Sequence, residues 1–489
     1  MNLSRQNNND KRPSQGSPFF VVLAAVCTLG ILSGIPWGQL SDNKLKDFNL
    51  LADIIHTAPV EYVTEEIIDP ALAQVMTDGD RDDKDEPAAP PVQTENGMIA
   101  VTDVAAVAVT SHDTIIQPAY LPPSPKVPRV NGHMIIEDYS GGSSIAGLRA
   151  VLKSPRARCA MIGDSYIEGD IFSGSIRKLL QDEYGGEGVG YVPMKSAVAG
   201  FRRTVRLSSN GFKSCDIRND RLDSLHTLPG EYFRVENGAT ASFKGEKNGA
   251  HTAQWSTSKF VFLAPSAGTI STSLDGVEWV EHTVEASSVP QCISIDGTTS
   301  RFDVRCNVPG LIAFGAWLDG NTGVSYDCMS LRGYSGISHR SLSIPTARGI
   351  ARWIDYDLIV VEYGMNALSS QQSNYTTYGN IMKKVLLRIK AAYPRAIVLM
   401  LGVGDRGQKQ GSEVSSLRTA SAIVEAQRQA ACDAGVLFWD TREAMGGENS
   451  IVEWRKKGLV NADYIHLNHK GGEEMGRLFV ESLKRAINE

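Results

Sequence analysis

Four short, nearly uninterrupted apolar runs, set among longer amphipathic stretches, restrict the folds open to this chain. The runs are Cys159–Ile162, Asp357–Tyr363, Ala396–Val403 and Val436–Trp439. Continuous rather than alternating apolarity marks strands buried on both faces, the pattern of a parallel sheet. Helical periodicity occupies Ile171–Tyr184, which ends at Gly185-Gly186, and Tyr378–Tyr393, which Pro394 stops. It returns over Ser415–Ala434, closed by Gly435, and from about His469 to Ala486. Strand–helix alternation of this kind implies right-handed crossovers and a doubly wound parallel α/β sheet. Functional residues of such sheets gather at the C-terminal strand ends.

Between about 201 and 322 the pattern changes to Ser, Thr and Gly with short alternating strands. Thr269–Thr283 alternates around Asp275-Gly276, a hairpin signal, and Arg301–Leu318 reads as two more strands. This is a β-sandwich inserted after the first strand of the α/β domain. Inserted sandwiches of this type suit carbohydrate binding, although a fold alone does not assign it. Trp255, Trp279 and Trp317 are candidate sugar platforms, with core packing as the commoner fate of such residues.

The N-terminus differs from both regions. Arg5, Lys11 and Arg12 precede Phe19–Trp37, which contains no Asp, Glu, Lys or Arg. Nineteen helical residues reach roughly 28 Å, about the hydrocarbon thickness of a bilayer. The basic flank would stay inside, placing the rest of the chain outside the cytoplasm. A cleaved signal peptide is the alternative. Asp78 to Glu86 is then almost wholly charged, and two proline groups follow, so the segment up to about 129 reads as an extended tether.

A net charge of −6 and the lack of a basic stripe argue against nucleic acid as a partner. No Cys/His spacing suits a metal, and no cofactor is expected. Gly185-Gly186-Glu187-Gly188-Val189-Gly190 follows a helix rather than a strand, so it is not a nucleotide loop. Seven cysteines are present, Cys27 inside the apolar segment. Six others allow fifteen full pairings, and Cys292 with Cys306, flanking an expected hairpin, is the first pair to test.

Chemistry concentrates in two motifs at opposite ends of the α/β region. Gly163-Asp164-Ser165 follows the first apolar run and precedes a helix, which puts a serine at a strand end and a helix N-terminus. Asp463-Tyr464-Ile465-His466 supplies a carboxylate and an imidazole three apart, close enough to share one helical turn. Asp463 would hold the tautomer of His466 while His466 takes the Ser165 proton. Asn366, in Gly364-Met365-Asn366, ends the Asp357–Tyr363 strand and can offer an amide to an oxyanion. Gly333, in Arg332-Gly333-Tyr334-Ser335-Gly336, can offer a backbone N–H, as can Ser165 itself, and Gly336 competes for the same place. Glu168 and Asp170 sit where first-turn acids are favoured, and His469 reads as a surface residue at a helix start.

In order and residue type these four blocks resemble the GDSL, or SGNH, hydrolase superfamily over about 130–489, with one insertion. The resemblance implies a flavodoxin-like sheet, Ser165 as nucleophile, His466 as base, Asp463 as its partner, and Ser165, Gly333 and Asn366 as oxyanion donors. Ala367 departs from it, since an acid usually follows the third-block asparagine. The runs Gly163–Asp170, Ala444–Ser450 and Asp463–Asn468 are most similar to extracytoplasmic peptidoglycan O-acetylesterases, which also carry an inserted carbohydrate-binding-like sandwich. That similarity implies removal of acetyl groups from muramic acid O6 of cell-envelope glycan, through an acetyl-enzyme. An O-acetyltransferase using the same triad, and a catalytically silent glycan-binding envelope protein, are the alternatives.

The expected organisation is a cytoplasmic segment (1–18), a membrane anchor (19–37), and a juxtamembrane segment with a Pro/acidic linker (38–129). The hydrolase domain follows in two pieces (130–200 and 323–489) around the sandwich (201–322). The expected setting is a bacterial inner membrane, crossed once, with the catalytic domain in the periplasm.

Overall fold

The computed structural model describes residues 129–130, 133–218, 225–411 and 413–488. The expected anchor and tether lie outside these residues. Among the described residues no helix is long and apolar enough to cross a membrane.

Five parallel strands form the centre of a six-stranded sheet in the spatial order Gly323–Ser330, Arg156–Gly163, Leu358–Glu362, Ile397–Leu401, Leu437–Trp439, with Glu137–Asp138 antiparallel at the far edge. Numbered along the chain, the parallel strands run 2-1-3-4-5, the flavodoxin-like order, whose switch point lies between strands one and three. All but the first residue of Arg156–Gly163 and every residue of Leu358–Glu362 are buried, as their apolar runs require. Helices Ser143–Leu152, Ser173–Tyr184 and His469–Asn488 pack together on one face, and Ile344–Ala351, Thr376–Ala392 and Ala420–Ala434 on the other.

Two helix starts differ from the sequence reading. The first crossover helix begins at Ser173, because a 3-10 turn at Glu168–Asp170 comes first. The helix expected from Ser415 begins at Ala420, because Gly407–Gln410 and Glu413–Ser416 pair as a hairpin.

The inserted region is a nine-stranded antiparallel sheet folded on itself. One half holds Val205–Asp216, Glu231–Gly245, Arg301–Asn307, Gly268–Ser273 and Val280–Val284; the other holds Ile312–Asp319, Trp255–Leu263 and Gln291–Thr299. Their inward side chains share a separate core that includes Phe243, Phe260, Phe262, Phe302 and Leu318. The sheet recruits Gly188–Val192 as well, which pairs with Ile312–Asp319, so its first strand lies ahead of residue 201.

Cys292 and Cys306, the pair to test first, are not bridged. Both are free thiols, as are the other four cysteines among the described residues. Gln291–Thr299 and Arg301–Asn307 do not form a hairpin, since the chain crosses at Ser300 from one half of the sheet to the other. Trp255 and Trp317 are core residues, 0% and 2% exposed, whereas Trp279 is 37% exposed with the Arg305 guanidinium 4.5 Å from its ring centroid. Trp317 also ties the insert to the parallel sheet: its Nε1–H donates to Asp327 (2.8 Å), which accepts the Tyr356 hydroxyl at 2.6 Å, and Arg158 pairs with Asp319 at 2.6 Å.

Candidate active site

Three parallel strands end level with one another, Gly163 standing in register with Ser330 on one side and Glu362 on the other. The chain therefore leaves the sheet at Asp164-Ser165, at the switch point. Only glycine fits at 163, because a Cβ there would stand 2.5 Å from Glu362 Oε2 and 2.8 Å from its carbonyl oxygen. The peptide N–H of Asp164 donates to that carboxyl (3.3 Å), and Asp164 Oδ1 accepts from Tyr166 N–H (2.9 Å). Both acids are buried. Burial raises the Asp164 carboxyl to about 6, against the pull of the Tyr166 amide. Burial, and then the charge of Asp164, pushes Glu362 well above the usual carboxylate range.

The side chain of Ser165 is completed from the far end of the chain. Its Oγ lies 2.9 Å from His466 Nε2, across 301 positions of sequence, and His466 Nδ1 lies 2.8 Å from Asp463 Oδ2. One neutral tautomer satisfies both contacts: Nδ1–H donates to Asp463 and bare Nε2 accepts the serine hydroxyl. Asp463 and His466 do not lie on a helix, contrary to expectation. They bracket a bend in which Tyr464 has φ 55°, closed by Asp463 Oδ1, which accepts from Ile465 N–H (2.9 Å) and His466 N–H (3.1 Å). Partial burial pushes the Asp463 carboxyl up, but the His466 hydrogen bond and these two amides outweigh it and hold it below its ordinary range.

The bend is seated by the final helix. Gly472 lies so close to Ser173–Tyr184 and its lead-in that a Cβ would be 1.9 Å from the Ile171 carbonyl oxygen, and one at Gly476 would be 2.5 Å from Ser175 Oγ. Glycines there let the helix approach until His466 meets Ser165.

The expected oxyanion donors are placed differently. Asn366 is close to the motif, but its Nδ2 donates to Asp164 Oδ2 (2.8 Å) and to the Tyr334 carbonyl (3.1 Å), so both amide hydrogens are engaged. Gly333 follows the Gly323–Ser330 strand with φ 70°, and Arg218 Nη1 is its nearest neighbour, 3.6 Å from a notional Cβ. Gly336 packs against the Tyr363 ring and opens a 3-10 turn. Glu168 is ion-paired with Arg332, Asp170 is buried against Arg177 and Arg202, and His469 opens the last helix with its ring 6.2 Å from Phe201.

Sequence reasoning missed Glu362. The available signal was an acid closing an otherwise apolar strand, Leu-Ile-Val-Val-Glu, two residues before Gly364. Among the described residues no group of three or more His, Cys, Asp or Glu could hold a metal ion.

Fold and site together define a serine-dependent hydrolase class with a flavodoxin-like sheet. Residues 299–473 match the GDSL-like Lipase/Acylhydrolase family, a span that contains Asn366, Asp463 and His466 but not Ser165. Over that span the chain resembles GDSL-like acylhydrolases, and an antiparallel sheet is inserted into the same α/β fold. Its structure is similar to one described as a peptidoglycan O-acetylesterase, at 19% identity and TM-score 0.60, over 72% of this chain and 99% of that one. A family two carbohydrate esterase from Cellvibrio japonicus matches 58% of this chain and 98% of its own at 10% identity and TM-score 0.25. The Bacillus subtilis protein YXIM matches 61% and 98% at 12% identity and TM-score 0.29. No curated protein matches the sequence.

Proposed function

We propose that this protein is a serine esterase that removes O-acetyl groups from cell-envelope glycan, with peptidoglycan muramic acid O6 as the favoured site. The observation that carries the reading is the continuous Asp463–His466–Ser165 relay, with contacts of 2.8 and 2.9 Å. The likeness in fold to a structure described as a peptidoglycan O-acetylesterase, together with the sequence motifs, supports the choice of substrate.

In this reading Ser165 Oγ attacks the acetyl carbonyl as His466 Nε2 takes its proton. The tetrahedral oxyanion collapses, the C–O bond to the sugar breaks, and His466 returns the proton to the leaving hydroxyl. Water repeats the sequence on the acetyl-serine and releases acetate. Asp463 stabilises the imidazolium and stays ionised. Backbone N–H groups of Ser165 and Gly333 are the proposed oxyanion donors. Asn366 joins them by giving up its bond to Asp164 or to Tyr334. A sugar hydroxyl in place of water would make the same acetyl-serine a transferase intermediate.

We further propose that Phe19–Trp37 anchors the chain in a bacterial inner membrane, with the hydrolase domain in the periplasm. Proteinase accessibility of the hydrolase domain in spheroplasts tests this, and full protection would overturn it.

Acetate release from O-acetylated peptidoglycan, compared with acetylated xylan, tests the substrate. Faster release from peptidoglycan is expected, and Ser165→Ala should lower kcat about 10⁶-fold. Transfer of the acetyl group to added glycan without free acetate would favour the transferase reading, and undiminished release by Ser165→Ala would end both.

A further inference from the structure

The strap Phe201–Thr204, which leads from the hydrolase domain into the inserted sheet, presents alternate residues to opposite sides. Arg202 Nε donates to Asp170 Oδ2 (2.8 Å), its Nη1 to the Tyr191 carbonyl (2.8 Å) and its Nη2 to the Val189 carbonyl (3.2 Å). Thr204 Oγ1 donates to the same Asp170 oxygen at 2.5 Å, and Arg177 Nη2 pairs with it at 2.8 Å. Asp170, Arg177 and Thr204 are buried. Arg202 is extended (φ −76°, ψ 113°), so pinning 202 and 204 inward turns 201 and 203 outward.

The two outward residues are unusual for a surface. Phe201 is 44% exposed, although its ring lies 6.2 Å from that of His469, three residues beyond His466. It also covers Gly169, four residues beyond Ser165, where a Cβ would stand 2.5 Å from Phe201 Cδ1. The ring thus lies close to the segments that follow Ser165 and His466 and remains partly in water. Arg203 is exposed and has no ion-pair partner among the described residues. By contrast the neighbouring Arg332 is engaged by Glu168 and Arg202 by Asp170. On the extended strap the Arg203 side chain leaves on the same side as that of Phe201, two residues earlier.

An exposed aromatic face offers apolar area and C–H contacts to a pyranose ring, and a planar guanidinium offers two parallel N–H donors to a carboxylate. With one uncommitted cation beside the ring, a single negative charge is matched. We propose that Phe201 and Arg203 form a substrate subsite beside Ser165 that takes a sugar ring bearing a carboxylate. This rests on the glycan-ester reading above and specifies which glycans the site prefers.

The test is inhibition of p-nitrophenyl acetate hydrolysis by unacetylated oligogalacturonate and by its fully methyl-esterified form, in which each carboxylate is replaced by a neutral methyl ester. The full-length wild type should bind the charged oligomer about fivefold more tightly than the ester, the worth of one solvent-exposed charge pair. Arg203→Gln should bring the two inhibition constants together, and Arg203→Lys should restore part of the difference. Phe201→Ala should weaken both oligomers and leave their ratio intact. Equal inhibition by the two forms in wild type, no inhibition by either, or a ratio unchanged in Arg203→Gln would overturn the subsite. Hydrolysis of p-nitrophenyl acetate abolished by Ser165→Ala reports separately on the esterase reading, so the two proposals fail independently.

Discussion

The two arms of the active site are built by different means. Ser165 leaves a strand end walled by the buried Glu362 and Asp164 and by the Asn366–Tyr334 brace, so its position is set by the interior of the sheet. His466 sits on a half-exposed bend held chiefly by local bonds to Asp463, its side chain 37% exposed. The serine arm is therefore stiff through tertiary packing, and the histidine arm through a short loop placed by one helix. The 2.9 Å contact between them depends on both.

Breaking the local bonds tests the histidine arm first. Asp463→Asn removes the charge that fixes the tautomer and should lower kcat about 10⁴-fold with little change in KM. Steady-state ester hydrolysis measures it, and a loss below tenfold would show that His466 orients itself. Displacing the same arm without touching its chemistry should cost less. Gly472→Ala must move the final helix off the Ile171 carbonyl, and a shift near 1 Å should reduce kcat about 100-fold. Retained activity with unchanged thermal stability would show that the helix seat is not what positions the bend.

The smallest effect sharpens the serine arm. His339 is fully buried, with Nε2–H donating to the Leu228 carbonyl (2.9 Å), and its ring lies against Tyr334 and Tyr363. Burial lowers its pKa to about 4. A histidine held neutral when folded contributes stability that is fully present above its unfolded pKa, about 6.5, and is lost as pH falls toward 4. About 1.4 kcal/mol per pH unit, or about 3 kcal/mol over the window, is the expected upper range. Denaturant titrations from pH 7 to 4 should show this slope, and His339→Gln should flatten it.

Much of the frame was legible because burial on both faces leaves continuous apolar runs, as in Leu358–Glu362 and Ile397–Leu401. The 2-1-3-4-5 order needed one more strand, Gly323–Ser330, which shows no such run because it carries Ser325 and Asp327. Asp327 is buried only because Trp317, Tyr356 and the Tyr191 amide meet it there, partners that no local window contains. Ser165, Asp463 and His466 were readable as residue types in a set order. The engagement of Asn366 and the pairing of Glu362 with the Asp164 amide were not, since both arise from groups brought together across about 200 positions. The close approach of Gly472 to the Ile171 carbonyl and of Gly476 to Ser175 likewise joins segments about 300 positions apart.

Covalent capture bears most directly on the central claim. A fluorophosphonate probe, followed by peptide mass spectrometry, should label the full-length protein once, at Ser165, with labelling lost in Ser165→Ala and slowed strongly in Asp463→Asn. A probe adduct on another side chain, or labelling that persists in Ser165→Ala, would contradict a relay running from Asp463 through His466 to this hydroxyl.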